Sequence, residues 1–179
     1  IVLVVLLVGG FIAFKVLQSQ TKKHSPEDTV TYTQGNLELS VNYNRPYKKG
    51  REIFGELVPY GDVWRTGANE ATTFTTNQDL VIGGKTLPAN TYTLWTIPGP
   101  EQWTVIFNEE MYGWGVTFGG KAARVPESDI LQVEAPMQRL SEPVEQFTIS
   151  FAEGETLALQ LTWDRTRVSV PMEPAGGGG

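Results

Sequence analysis

The chain contains no cysteine. That absence removes disulfides, thiol nucleophiles and thiolate metal sites together. It leaves the compartment open, because exported bacterial proteins also do without cysteine. Histidine is nearly as scarce: His24 is the one present, in a polar stretch beside Lys22 and Lys23. A Ser-His-Asp triad or a multi-histidine zinc site would have to use it, and its neighbours read as a solvated linker. The sequence has no Asp-x-Asp-x-Asp-Gly calcium loop, no phosphate loop and no dinucleotide fingerprint. Neither a metal nor a cofactor is therefore expected.

Basic charge is thin outside the N-terminus. The formal net charge is −6, and the first 23 residues carry Lys15, Lys22 and Lys23 with no acid, which leaves 11 basic against 20 acidic residues in the rest. An acidic domain is a poor partner for nucleic acid, because phosphate binding needs a basic face. It is equally unsuited to lying flat on an anionic leaflet. Helical periodicity is scarce too, and residues 50–57 have room for one turn at most.

What is present begins with an apolar run. Ile1 to Phe14 are all apolar or glycine; Lys15 interrupts, and Val16 and Leu17 follow. A spanning helix takes about 20 residues. Residues 1–17 are therefore expected to be a transmembrane helix whose first turns precede Ile1, with Lys15 snorkelling at the far interface. A cleaved signal peptide would need small residues just after the run, and Phe14-Lys15-Val16-Leu17 does not supply them. The three lysines follow the run, which by the positive-inside rule alone favours a cytoplasmic domain. An N-terminal anchor followed by a β-domain more often exports that domain, so the expectation is a single-pass inner-membrane protein with a periplasmic domain. Residues 18–28 read as a linker, 29–172 as the domain and 173–179 as a flexible tail.

From Thr29 onward the pattern has period two. Leu37, Leu39, Val41 and Tyr43 alternate with Glu38, Ser40 and Asn42, as in a half-buried strand. Gln34-Gly35-Asn36 and Gly83-Gly84 are hairpin signals. Leu87-Pro88-Ala89-Asn90 reads as a turn with Asn90 in a left-handed backbone. Strands are expected over 91–97, over 103–108 with Trp103, Val105 and Phe107 on one face, and over 130–135. A C-terminal meander is expected over 146–151, 156–163 and 167–170, turning at Glu153-Gly154 and Asp164-Arg165. Residues 111–120, rich in glycine and aromatics, read as a loop with a short strand. About ten short strands imply an all-β antiparallel β-sandwich or jelly-roll-like domain.

One stretch resists the strand pattern. Between Arg45 and Thr72, arginine, aromatics and turn residues are concentrated, and such loops often build sites on a rigid scaffold. Arg45, Arg51 and Arg65 would form a cationic pocket for an anionic ligand, with Tyr60 and Trp64 as walls and Asn69 and Glu70 fixing orientation. The alternative makes Arg65 and Glu70 a structural pair that ties the loop to the sheet, with Trp64 filling the core. Asp62 and Glu70 share the loop and are the candidates for a carboxylate pair. Glu109, Glu110, Glu153 and Glu155 read as solvated.

Several motifs carry a family resemblance: Arg45-Pro46, Gly50-Arg51-x-Ile53-Phe54-Gly55, Leu57-Val58-Pro59-Tyr60-Gly61 and the run Trp64-Arg65-Thr66-Gly67-Ala68-Asn69-Glu70-Ala71-Thr72. Ile82-Gly83-Gly84-Lys85, Leu87-Pro88-Ala89-x-Thr91-Tyr92, Ile97-Pro98-Gly99 and Trp103-Thr104-Val105-Ile106-Phe107-Asn108 extend them. Together they resemble the bacterial domain-of-unknown-function family 2911, over roughly residues 37–170. The family usually has glycine where this chain has Asn90. The resemblance implies an exported domain and no established activity.

Three functions follow as expectations. The first is a non-catalytic, membrane-anchored accessory subunit of a larger complex, such as a respiratory or photosynthetic one. Its helix would touch lipid and other membrane subunits, and its aromatics, Tyr112 and Trp114 among them, would face partners. That reading predicts that Arg65 and Trp64 are buried or paired, with an apolar patch elsewhere. The second is a tethered binding module for a small anionic or sugar ligand, which predicts an open pocket around Arg65 and Trp64. The third is a hydrolase using acids alone, which predicts two carboxylates facing each other in a cleft.

Overall fold

The computed structural model describes residues 21–176. The expected membrane helix over 1–17 lies outside the described residues. Among the described residues, no helix is long and apolar enough to cross a membrane. Residues 21–24 are helical, and a 3-10 turn spans Pro126–Ser128.

The domain is all-β. Its strands are β1 (Glu27–Gln34), β2 (Leu37–Asn44), β3 (Thr73–Thr76), β4 (Leu80–Ile82), β5 (Lys85–Leu87), β6 (Asn90–Ile97), β7 (Gln102–Asn108), β8 (Asp129–Ala152) and β9 (Leu157–Pro174). They pair in the order β1-β2-β3-β6-β7-β8-β9-β4-β5, and every neighbouring pair is antiparallel. In β2 the alternation fixes the register: Leu37, Leu39, Val41 and Tyr43 are buried while Glu38 and Asn42 are exposed. A slip of one residue would reverse those faces. Gly83 and Gly84 close the β4–β5 hairpin with φ of 57° and 75°, the backbone that a tight two-residue hairpin requires.

Two long strands depart from the expected short ones. The segments expected over 130–135 and 146–151 are parts of β8, and those over 156–163 and 167–170 are parts of β9. The first part of β8 pairs with β7, and the remainder pairs with β9 from Met137 onward. Register shifts on either side of Val144 break the β8–β9 ladder. Asp164 lies there with φ of 51°. Asp164-Arg165 is thus not a turn: Asp164 has a turn-type backbone while β9 continues, and the extra residues of the irregular ladder lie opposite it on β8. Glu153-Gly154 does connect β8 to β9. Asn90 is not left-handed either. It opens β6 opposite Thr76, and its Oδ1 accepts the Thr91 N–H at 2.8 Å. Residues 50–57 contain turns and the bridge residue Phe54 but no helix.

The bends bring distant parts of the sheet face to face over one core. Leu39 and Val41 of β2, Phe74, Leu94, Val105, Phe147, Leu161 and Val170 belong to a single buried cluster. Tyr43 of β2 crosses that core. Its ring meets Phe147 edge-on at 5.8 Å. Its hydroxyl accepts the Ile149 N–H at 3.0 Å and lies 3.5 Å from the Ile149 carbonyl. Burial raises the Tyr43 phenol above its ordinary value, since the charged phenolate is disfavoured there.

Tyr43→Phe leaves the Ile149 amide buried without its partner. The expected cost is about 1–3 kcal/mol, read from the denaturant midpoint. The pH dependence has a definite sign. A phenol raised in the folded state contributes stability that is complete below its unfolded value, near pH 10, and falls as pH rises past it. The variant is therefore expected to lose less stability than the parent between about pH 10 and 11; a steeper alkaline loss in the variant contradicts this assignment.

Candidate functional site

The long connection from β2 to β3 is fastened by aromatic rings. Phe54 packs edge-on against Trp103 at 4.7 Å, and against Trp64 and Trp163 at 6.0 and 6.1 Å. Trp64 stacks on Trp163 at 6.0 Å with planes 18° apart, and meets Phe147 at 5.0 Å. The backbone of Trp64 is tied to β6: its N–H donates to Thr96 at 2.7 Å and its carbonyl accepts from Thr96 at 2.9 Å. Its indole N–H donates to the Gly67 carbonyl at 3.0 Å.

Beyond Trp64 the chain takes an unfavourable path. Thr66 and Asn69 both have φ of 56°. For a β-branched residue such as Thr66 this backbone is a genuine outlier, with a cost on the order of 1–3 kcal/mol. Buried hydrogen bonds hold it. The Thr66 hydroxyl lies 3.2 Å from that of Thr96, and the Thr72 hydroxyl donates to the Thr66 carbonyl at 2.8 Å. Asn69 Nδ2 donates to the Ser25 carbonyl and to Asn44 Oδ1, each at 3.3 Å. Arg65 sits between these constraints.

A cleft of about 1080 Å³ opens beside this loop. Trp64, Trp163, Val58 and Val63 form part of its wall, and a small hairpin at 115–122 forms another. In that hairpin Val116 bridges Ala122, the Thr117 N–H donates to the Lys121 carbonyl at 2.8 Å, and Gly119, Gly120 and Lys121 face the cleft. Lys49, Arg51, Arg65 and Lys121 line the cleft against a single acid, Asp62. In a domain where acids outnumber bases, this is a local reversal of sign.

Arg65 is the unusual member. It is half-buried, whereas Lys49, Arg51 and Lys121 are exposed. Its Nη1 donates to the Trp114 carbonyl at 2.9 Å. Among the described residues no carboxylate forms an ion pair with it. Burial lowers its guanidinium from the ordinary value, and the charge of Glu70 opposes that shift. The Arg65–Glu70 ion pair weighed as the structural alternative is therefore absent. Glu70 instead meets Lys22 at 3.2 Å and accepts from Asn44 Nδ2 at 3.0 Å.

The structure brings together some of the expected site residues and separates others. Arg51, Trp64 and Arg65 line the cleft; Arg45, Tyr60, Asn69 and Glu70 do not. Arg45 is committed to Asp28 at 3.1 Å, to the Phe147 carbonyl at 3.2 Å and to the Thr148 hydroxyl at 3.0 Å. Tyr60 is 46% exposed and its ring lies over Gly55. Of the two loop carboxylates, Asp62 lines the cleft and Glu70 stands outside it. Tyr112 is half-buried, packed edge-on against Trp95 at 5.2 Å and bonded to Asn108 Oδ1 at 3.1 Å, so it serves the fold. Lys49 and Lys121 were not among the expected site residues, nor was Trp163. Lys49 stands in the stretch that was singled out, and Lys121 follows the Gly119-Gly120 pair. Trp163 had no local signal. His24, at the cleft rim, has Nδ1 3.4 Å from Lys49 Nζ. No group of three or more metal-ligating side chains occurs among the described residues.

Gly115 shows how closely the hairpin is fitted to Arg65. With φ of 72°, it places a would-be Cβ 3.1 Å from Arg65 Cδ and 3.2 Å from Ala71 Cβ. Gly115→Ala is expected to cost about 1–2 kcal/mol from the left-handed backbone alone, measured by chemical denaturation. An unchanged midpoint would contradict the left-handed, closely packed setting of Gly115.

The family model described as Protein of unknown function (DUF2911) matches residues 25–172, and the chain belongs to that family. No curated protein and no solved structure matches the chain.

Proposed function

We propose that this DUF2911 member is a binding module for a small anionic ligand, built on a two-layered β-sandwich and held at the inner membrane by residues 1–17, with the domain in the periplasm. The observation that carries the reading is Arg65, a half-buried cation lining an open cleft, whose protein partner is a carbonyl and not a carboxylate. Taking an ion out of water without a counter-charge costs several kcal/mol. An anionic ligand would offset that cost, and the strained loop would hold the guanidinium ready for it. Lys121 and Arg51 on the rim would draw the anion in against the negative field of the rest of the domain. The cleft is at the upper end of the size range of small-molecule sites. The separation of Glu70 from Asp62 leaves the carboxylate-pair hydrolase without its second acid in the cleft.

Thermal-shift titration against a panel of organic anions and neutral sugars tests this. A saturating anion, at about 100 times its dissociation constant, adds about 2.7 kcal/mol. For a domain of this size that is a rise in Tm of roughly 5–10 °C. Lys121→Glu is expected to weaken binding several-fold while changing the unliganded stability by less than about 0.5 kcal/mol. If no anion raises Tm, the reading fails.

Phe118 favours a second reading. It is 114% exposed at the tip of the hairpin, and aromatic side chains of this kind anchor interfaces. The chain would then be an accessory subunit that braces membrane partners. A mild-detergent pull-down of the native full-length protein would recover a stoichiometric set of membrane proteins, and Phe118→Ser would deplete it. Recovery of the chain alone contradicts that role.

A further inference from the structure

We infer that the ligand of this cleft is an organic carboxylate with a ring-shaped or otherwise apolar body. The inference rests on the binding reading above and names its ligand class. It follows from the half-buried guanidinium and the apolar surface that the cleft offers.

Phosphate sites are built from several free backbone N–H groups together with cations. In and beside the hairpin three amides are committed. The Thr117 N–H donates to the Lys121 carbonyl at 2.8 Å, the Gly120 N–H to the Thr117 carbonyl at 2.9 Å and the Ala123 N–H to the Gly115 carbonyl at 3.0 Å. On the opposite rim the Arg51 guanidinium closes onto its own loop, with Nε on the Lys48 carbonyl at 2.9 Å and Nη2 on the Tyr47 carbonyl at 2.5 Å. Lys49 Nζ faces His24. Of the four cations in the lining, Arg65 is the half-buried one, and Lys49, Arg51 and Lys121 are exposed; the hydrogen bond from Arg65 Nη1 to the Trp114 carbonyl leaves most of its five donors uncommitted. A guanidinium fork matches a carboxylate.

The remaining wall is apolar. The indole N–H groups of Trp64 and Trp163 are turned to protein carbonyls, of Gly67 at 3.0 Å and Glu145 at 3.4 Å. Trp64, half-buried, offers the ligand ring surface and no donor, and the buried Trp163 backs it. Val63, Val116 and Ala122 line the cleft around Arg65. A volume of about 1080 Å³ far exceeds a free inorganic anion and has room for a ring or chain beside the carboxylate.

The test is calorimetry on the full chain in detergent, with phenylacetate, cyclohexanecarboxylate, the neutral phenylacetamide, inorganic phosphate and a hexose phosphate as probes, and tryptophan emission followed in parallel. The two carboxylates are expected to bind and to change the emission, and the amide to bind at least about tenfold more weakly, because a charge-assisted pair is lost. Arg65→Gln, which keeps a donor for the Trp114 carbonyl, is expected to erase the difference between acid and amide. Should that variant not fold, the acid–amide comparison on the parent decides alone. Equal binding of phenylacetate and phenylacetamide overturns the inference. Binding of either phosphate probe without the carboxylates overturns it too, while leaving the anion-binding reading in place. If none of the anions binds, both are overturned.

Discussion

The contact among Phe54, Trp64, Trp103, Phe147 and Trp163 governs how this domain is arranged. These rings come from the long β2–β3 connection, from β7 and from the two bent strands β8 and β9. Aromatic pairs in edge-on and offset geometry add about 0.5–1.5 kcal/mol each beyond the area they bury. Here they also perform a geometric task. They convert a connection of 28 residues between β2 and β3, which would otherwise lie loosely on the surface, into a fixed wall of the core.

Once Trp64 is held, its neighbours have little freedom. The backbone bridge to Thr96 sets the direction of the chain, and the next residues must turn sharply to reach β3. Thr66 and Asn69 adopt left-handed backbones to do so, secured by Thr72, Thr96, Asn44 and the Ser25 carbonyl. Lys22 and Glu70 add an ion pair between the segment that enters the domain and this loop. Arg65 is thereby placed under the 115–122 hairpin with a carbonyl for company. An outlier backbone beside a desolvated cation is the combination in which strain serves preorganisation. The fold therefore leads to the cleft through a chain of local constraints, each visible in a hydrogen bond or ring contact.

Much of the scaffold was legible in the sequence. Alternation in Leu37–Asn44 and the Gly83-Gly84 pair report their own structure, because the causes are local. The fusion of short strands into β8 and β9 was not legible. Asp164-Arg165 is a turn by composition and lies inside β9 in fact, and only the pairing partner distinguishes the two. The same division applies to the site. The Trp64–Thr72 run stands out by composition, and Arg65, Trp64 and Arg51 do reach the cleft. Glu70 and Asn69 stand beside Arg65 in sequence yet bond to Lys22, Asn44 and Ser25, since side-chain direction in an irregular loop has no period to follow. Lys121 and Trp163 join the cleft from segments roughly 56 and 98 residues beyond Arg65, where no window of sequence shows them together.

The central claim is that Arg65, which lines the cleft together with Trp64 and Trp163, receives an anion. The most direct test follows the nitrogen–proton correlations of the Arg65 side chain and of the tryptophan indoles while an organic carboxylate is titrated into the labelled full chain. The account predicts that the Arg65 Nε–H signal and the Trp64 and Trp163 indole signals move together and saturate at one concentration. A titration that shifts other residues and leaves Arg65 and Trp64 unmoved would contradict it.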